Sequence, residues 1–89
     1  MIHLAVKIPV IESEKDWGRK VDDHMVCLSN EDAIEFKKEF NAKNNLDATP
    51  DWYMSCEGEP TPIDLTSKQY KILKANKRVW LSTLKNSKN

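Results

Sequence analysis

From Ile2 to Ile11 apolar and polar residues alternate. Ile2, Leu4, Val6, Ile8 and Val10 take the even positions, and His3, Ala5, Lys7 and Pro9 fall between them. Successive side chains of an extended strand point to opposite faces, so this period of two predicts a half-buried β-strand with the even residues inward. Pro9 has no N–H to give to a ladder, which puts it at a frayed end or an edge. Glu12 to Lys20 is polar, and its Trp17-Gly18 pair reads as a turn. Val21 to Leu28 predicts a second strand, with Met25, Val26, Cys27 and Leu28 at its apolar end. The two runs together predict an antiparallel hairpin.

The period becomes helical after Ser29, a residue suited to an N-cap, with Glu31 and Asp32 in the first turn where the helix dipole favours acids. At about 100° per residue, Ala33, Phe36 and Phe40 share one stripe, with Glu31, Glu35 and Lys38 opposite. Asn44 and Asn45 suit a C-terminal cap, so this helix is expected to end between Ala42 and Asn45. Trp52 to Cys56 predicts a short third strand with Trp52, Met54 and Cys56 facing one way, followed by a loop containing Gly58, Pro60 and Pro62. Thr66 and Gln69 then match the capping box T-x-x-Q, and Leu65 with Tyr70 matches the hydrophobic staple around it. A helix is expected from Ser67 to about Leu84, with Leu73, Trp80 and Leu84 on its core stripe. An alternative breaks that helix near Asn76 and makes Val79 to Leu84 a fourth strand.

These elements predict an α+β fold of order ββαβα: a small, three-stranded, mainly antiparallel sheet with two helices on one face. Residues 1–85 are expected to form a single domain and residues 86–89 a frayed C-terminal tail. A chain of 89 residues buries only roughly 60–65% of its unfolded surface, so self-association into a homo-oligomer would help its thin core. No run approaches the roughly 18 apolar residues of a membrane span. The N-terminal run carries Lys7 and Pro9 and lacks the flanks of a signal peptide, so it reads as structure. Cys27 and Cys56 both sit in apolar runs, which points to free, buried thiols in a reducing cytoplasm. Twelve Lys against two Arg, beside seven Asn, is a bias common in AT-rich genomes, phages and mobile elements among them.

Charge changes the picture more. The formal net charge is zero, yet Asp64 is the last acid in the chain. The first 64 residues hold seven basic and fourteen acidic residues, a net of −7, and the remainder holds seven basic residues and no acid. On one continuous helix, Lys71, Lys74, Arg78 and Lys85 would lie within about 60° of each other, opposite Leu73 and Trp80. Such a basic ridge can hold phosphates, meet an acidic protein, or simply solvate the helix, which is the default for a surface helix. An acidic first helix lying beside it would cancel part of its field. Zero net charge removes the long-range pull toward nucleic acid, and a single Arg on the ridge leaves little to read guanine edges. An acidic or dipolar protein partner is the functional reading that these charges favour.

Chemistry-bearing residues are sparse. His3, His24, Cys27 and Cys56 are the only soft ligands, without C-x-x-C or H-x-x-x-H spacing, so no metal is expected. A Cys–His nucleophile needs a polar, partly open site, whereas Cys27 and Cys56 have apolar neighbours. The acids Asp22-Asp23 and Glu57/Glu59 are candidate carboxylate pairs, although paired acids in loops are more often only solvated. Gly18 and Gly58 are the only glycines, which excludes a Gly-rich phosphate loop. Trp17, within Lys15-Asp16-Trp17-Gly18-Arg19, has the composition of a binding hot spot; its competing reading is a ring folded over the sheet edge. Trp52 and Trp80 read as core.

The expectation is a small non-enzymatic protein-interaction module, a modulator or inhibitor of a larger protein. Trp17, Lys71, Lys74, Arg78 and Lys85 are its partner-binding residues, with no catalytic residue, metal, cofactor or membrane. Two alternatives stand beside it: a nucleic-acid-binding accessory protein using the basic helix face, and a small enzyme with a site assembled across the fold.

Overall fold

The first strand, β1 (His3–Glu14), is paired on both of its edges. In the computed structural model, which describes residues 2–14, 18–43 and 52–85, β2 (Gly18–Cys27) runs antiparallel along one edge from Val6 to Glu14. Two strands share the other edge: β3 (Trp52–Cys56) opposite Val10 to Glu14, and β4 (Thr61–Leu65) opposite His3 to Lys7. Residues 57–60 bridge them opposite Ile8 and Pro9, where the Glu57 N–H donates to the Pro9 carbonyl at 3.3 Å. Gly58 takes φ +88° there, a backbone region open to glycine. β3 and β4 therefore behave as one edge strand interrupted by an outward loop.

The helix α1 (Asn30–Lys43) opens as expected, with the Asp32 N–H donating to Ser29 Oγ at 3.1 Å. The second helix, α2 (Ser67–Asn76), begins at the predicted box. Thr66 Oγ1 accepts from the Gln69 N–H at 3.2 Å, and Gln69 Oε1 accepts from the Thr66 N–H at 3.0 Å. Leu65 and Tyr70 join the same core. This helix does not run on to Leu84. Lys77 turns out of it at φ 69°, with its N–H on the Leu73 carbonyl, and β5 (Arg78–Trp80) follows, then the short α3 (Leu81–Lys85). The break lies where the alternative placed it, but the strand is only Arg78–Trp80. It forms because β2 has a free edge at Met25–Cys27, and pairing there satisfies backbone groups on both strands.

The order is thus ββαββαβα, with five strands and three helices among the described residues, where three and two were expected. The antiparallel sheet runs β3-β1-β2-β5, with β4 beside β1.

The expectation of helices on one face is also overturned. Met25 and Cys27 belong to a core with Ile8, Val10, Cys56 and the α1 residues Ala33 and Phe36. Val26, between them, belongs to a second core with Ala5, Leu65, Val79, Leu73 of α2 and Leu81 and Leu84 of α3. Adjacent strand residues point to opposite faces, so α1 covers one face and α2 with α3 the other. The even-inward pattern of β1 fails at its start: Ile2 and Leu4 are 71% and 67% exposed, while Ala5 is 2% exposed. α1 packs over Ile8 and Val10, and the small Ala5 lets α2 and α3 close on the other side. Among the described residues no helix is long and apolar enough to cross a membrane. The expected tail at residues 86–89 and the Asn44-Asn45 cap lie outside the described residues.

Candidate functional site

Placing the helices on opposite faces puts the lysines of α2 across the sheet from the acids of α1, a helix that also carries Lys37, Lys38 and Lys43. Lys68, Lys71, Lys74 and Lys77 are exposed along α2 and its C-terminal turn. Lys74 Nζ lies 5.7 Å from the centre of the Tyr70 ring. The ion pairs found among the described residues involve none of these lysines. The acids Glu31, Asp32, Glu35 and Glu39 belong to α1, across the sheet. Asp64 sits beside Leu4, also on the α1 side. The acidic first helix does not lie beside the basic second one, so the cancellation that such packing would bring does not occur.

The predicted ridge is redistributed. Lys71 and Lys74 remain on α2, but the break at Lys77 removes Arg78 and Lys85 from it. Arg78 crosses to α1, where its Nη2 is 2.8 Å from Asp32 Oδ1 and its Nη1 is 2.9 Å from Glu39 Oε2. Lys85, on α3, acts on His24 together with Lys7. Burial lowers the His24 pKa first, Lys7 next, and Lys85 adds to this against the opposing charge of Asp23. Trp17 lies outside the described residues.

The described residues leave part of the α2–α3 face uncovered. From Ala5 the alternation of β1 carries Lys7, Pro9, Ile11 and Ser13 to this face. Register places His24 beside Pro9, Val21 and Ser55 on either side of Ile11, and Arg19 beside Ser13. A register shift between Val10 and Ile11 inserts Asp22 as the extra residue of β2. A polar ladder then crosses three strands. Arg19 Nε donates to Ser13 Oγ at 3.2 Å, Arg19 pairs with Glu57, and Ser55 Oγ donates to Glu57 Oε2 at 2.6 Å. Ile11, Arg19, Lys20, Val21, Glu57 and Gly58 bound an open groove of about 510 Å³. A smaller hollow of about 270 Å³ lies by Glu12, Glu14 and Gly18. There a hydrogen bond that the protonated Glu14 carboxyl donates to Glu12 raises the Glu14 pKa.

The bonds from Ser55 and then Arg19 hold the Glu57 carboxyl below its usual range, which makes it a poor base toward Ser55. Burial pushes the Cys27 thiol up to about 12 and the Cys56 thiol up to about 11, so neither supplies a thiolate at neutral pH. His24 shares its face with Val26, whereas Cys27 faces α1. Asp23 caps α3, accepting from Ser82 Oγ at 2.6 Å and the Ser82 N–H at 3.2 Å. Among the described residues no group of three or more His, Cys, Asp or Glu side chains is placed to hold a metal ion.

Sequence reasoning missed the groove. Ile11, Val21 and Ser55 come from three strands, and no local pattern shows a one-residue bulge. Comparison of the chain with protein-family models, with curated proteins and with solved structures finds no match.

Proposed function

We propose that this protein is a small non-enzymatic interaction module, a modulator or inhibitor of a larger protein, whose α2 side docks against an acidic protein surface. One observation carries the reading: Lys68, Lys71, Lys74 and Lys77 stand exposed on α2, across the sheet from the acids of α1. A one-signed patch of this kind steers an oppositely charged partner and raises its association rate. Screening over about 8 Å at physiological salt makes that effect salt-dependent. Single-stranded nucleic acid is the poorer fit, because it needs an open aromatic face for its bases. Tyr70, the aromatic residue of α2, is half-buried and stacks on His3 with ring centres 4.5 Å apart and planes 5° from parallel.

The test is biolayer interferometry with immobilised poly-L-glutamate and, separately, duplex DNA, across a salt series. Wild type is expected to bind polyglutamate, and Lys71→Glu/Lys74→Glu to slow association and flatten its salt dependence. Duplex binding at physiological salt that this double variant abolishes would transfer the function to nucleic acid. No response with either probe would reduce the lysines to a solvated face.

A further inference from the structure

We propose that the groove floored by Ile11 and Val21 is a second docking site, receiving an apolar side chain from an extended acidic segment of the partner whose carboxylates meet Lys7 and Lys85. The inference rests on the proposed function for the sign of the partner and carries it from first encounter to the docked complex.

Coverage is the first argument. Among the described residues, α2 and α3 close over Ala5, Val26 and Leu65, and the next rows of the same sheet face leave Ile11 half-buried and Val21 exposed. Val21 is 52% exposed on that floor. The groove volume of about 510 Å³ falls within the roughly 300–1,000 Å³ of sites that hold ligands. Its open form suits a chain lying along the surface.

Charge is the second argument. Lys7 and Lys85 both act on His24, which register places beside Pro9 on this face, and Lys20 borders the groove. The acid that lines the groove, Glu57, is already bonded to Arg19 and Ser55. Asp23 is taken up by Ser82 and the His24 N–H, and Asp22 stands exposed at the bulge. An incoming carboxylate therefore meets Lys7 and Lys85, while Arg19 is paired with Glu57 and Lys20 lies opposite Glu12.

Spacing is the third. Lys7 and Ile11 are four residues apart on one strand, about 13 Å at the rise of an extended chain. An extended partner segment with an acid and an apolar residue four apart reaches both, since side chains at that interval share a face.

The experiment titrates the protein with a short fluorescein-labelled peptide carrying glutamate and leucine four residues apart. A lysine-for-glutamate analogue and an alanine-for-leucine analogue serve as controls. Binding is followed by anisotropy, and its position by amide shifts in ¹⁵N-labelled protein. The glutamate–leucine peptide is expected to bind best and to shift Ile11, Val21 and Gly58. Val21→Glu is expected to weaken binding roughly tenfold or more, as expected for burial of one aliphatic side chain. Lys7→Glu/Lys85→Glu should reverse the preference toward the lysine analogue, with a preserved amide spectrum showing that the variant is folded. The inference is overturned if the glutamate peptide binds no better than its lysine analogue, or if the shifts fall around Leu4 and Ile34 instead. The two readings separate cleanly. Loss of binding in Val21→Glu with none in Lys71→Glu/Lys74→Glu keeps the groove and removes the α2 role, and the converse result removes the groove alone.

Discussion

Arg78 and Asp32, 46 residues apart in sequence, meet through a forked contact: Nη2 lies 2.8 Å from Oδ1, and Nε lies 3.2 Å from both carboxylate oxygens. The guanidinium also reaches Glu39 and lies 5.8 Å from the centre of the Phe36 ring. One side chain thus fastens β5 to α1 across the edge of the core. Arg78→Ala is expected to lower stability by about 1–2 kcal/mol, discounted for the partial exposure of the pair. Arg78→Lys should recover less than half of that, because an ammonium cannot make the fork. Urea denaturation measures both. The same variants should leave association with polyglutamate nearly unchanged, since this cation is already spent on α1.

The two thiols should be inert in the folded protein. Cys27 and Cys56 are fully buried, and burial holds both well above neutral pH. Labelling with a thiol reagent at neutral pH is expected to be slow for the native chain and fast in denaturant, at both residues. Rapid native labelling of either one would show that its strand opens readily.

The two ends of α2 should respond in opposite directions. Thr66→Ala removes half of the capping box and is expected to cost about 1 kcal/mol. Lys77 holds a positive φ of 69°, which is strained for a residue with a Cβ. Lys77→Gly is therefore expected to stabilise by about 1 kcal/mol, a gain reduced by the extra freedom of glycine in the unfolded chain. Shifts of the urea midpoint in opposite senses would check the pair together.

His24 makes stability depend on pH. Burial, Lys7 and Lys85 put its folded pKa below the ordinary 6.5. The unfolded chain therefore takes up the proton first as pH falls, which favours unfolding. The His24 contribution is full above pH 6.5 and is lost as pH falls through the lower folded value. Stability measured by urea denaturation from neutral to mildly acidic pH should decline in that window. His24→Gln should flatten this component, and a wild-type curve that rises toward acid would contradict the sign.

Local patterns in the sequence determined the elements whose causes are local. The period of two places β1, the five residues Trp52–Cys56 form β3 as read, Ser29 caps α1, and Thr66 with Gln69 starts α2. Each depends on residues a few positions apart, and the interactions responsible are equally short-ranged. Tertiary pairing decided the rest. Thr61 to Leu65 contains Pro62 and reads as loop, yet it becomes β4 because β1 offers a free edge at His3–Lys7. Val79 and Trp80 fit one side of a helix when read locally, yet they separate into opposite cores once β5 pairs with β2. Alternation says which residues share a face of a sheet; it does not say whether the second face is also covered. That was settled only when Val26 and Ala5 met α2 and α3. The same packing put the lysines of α2 across the sheet from the acids of α1 and left Val21 exposed beside the half-buried Ile11.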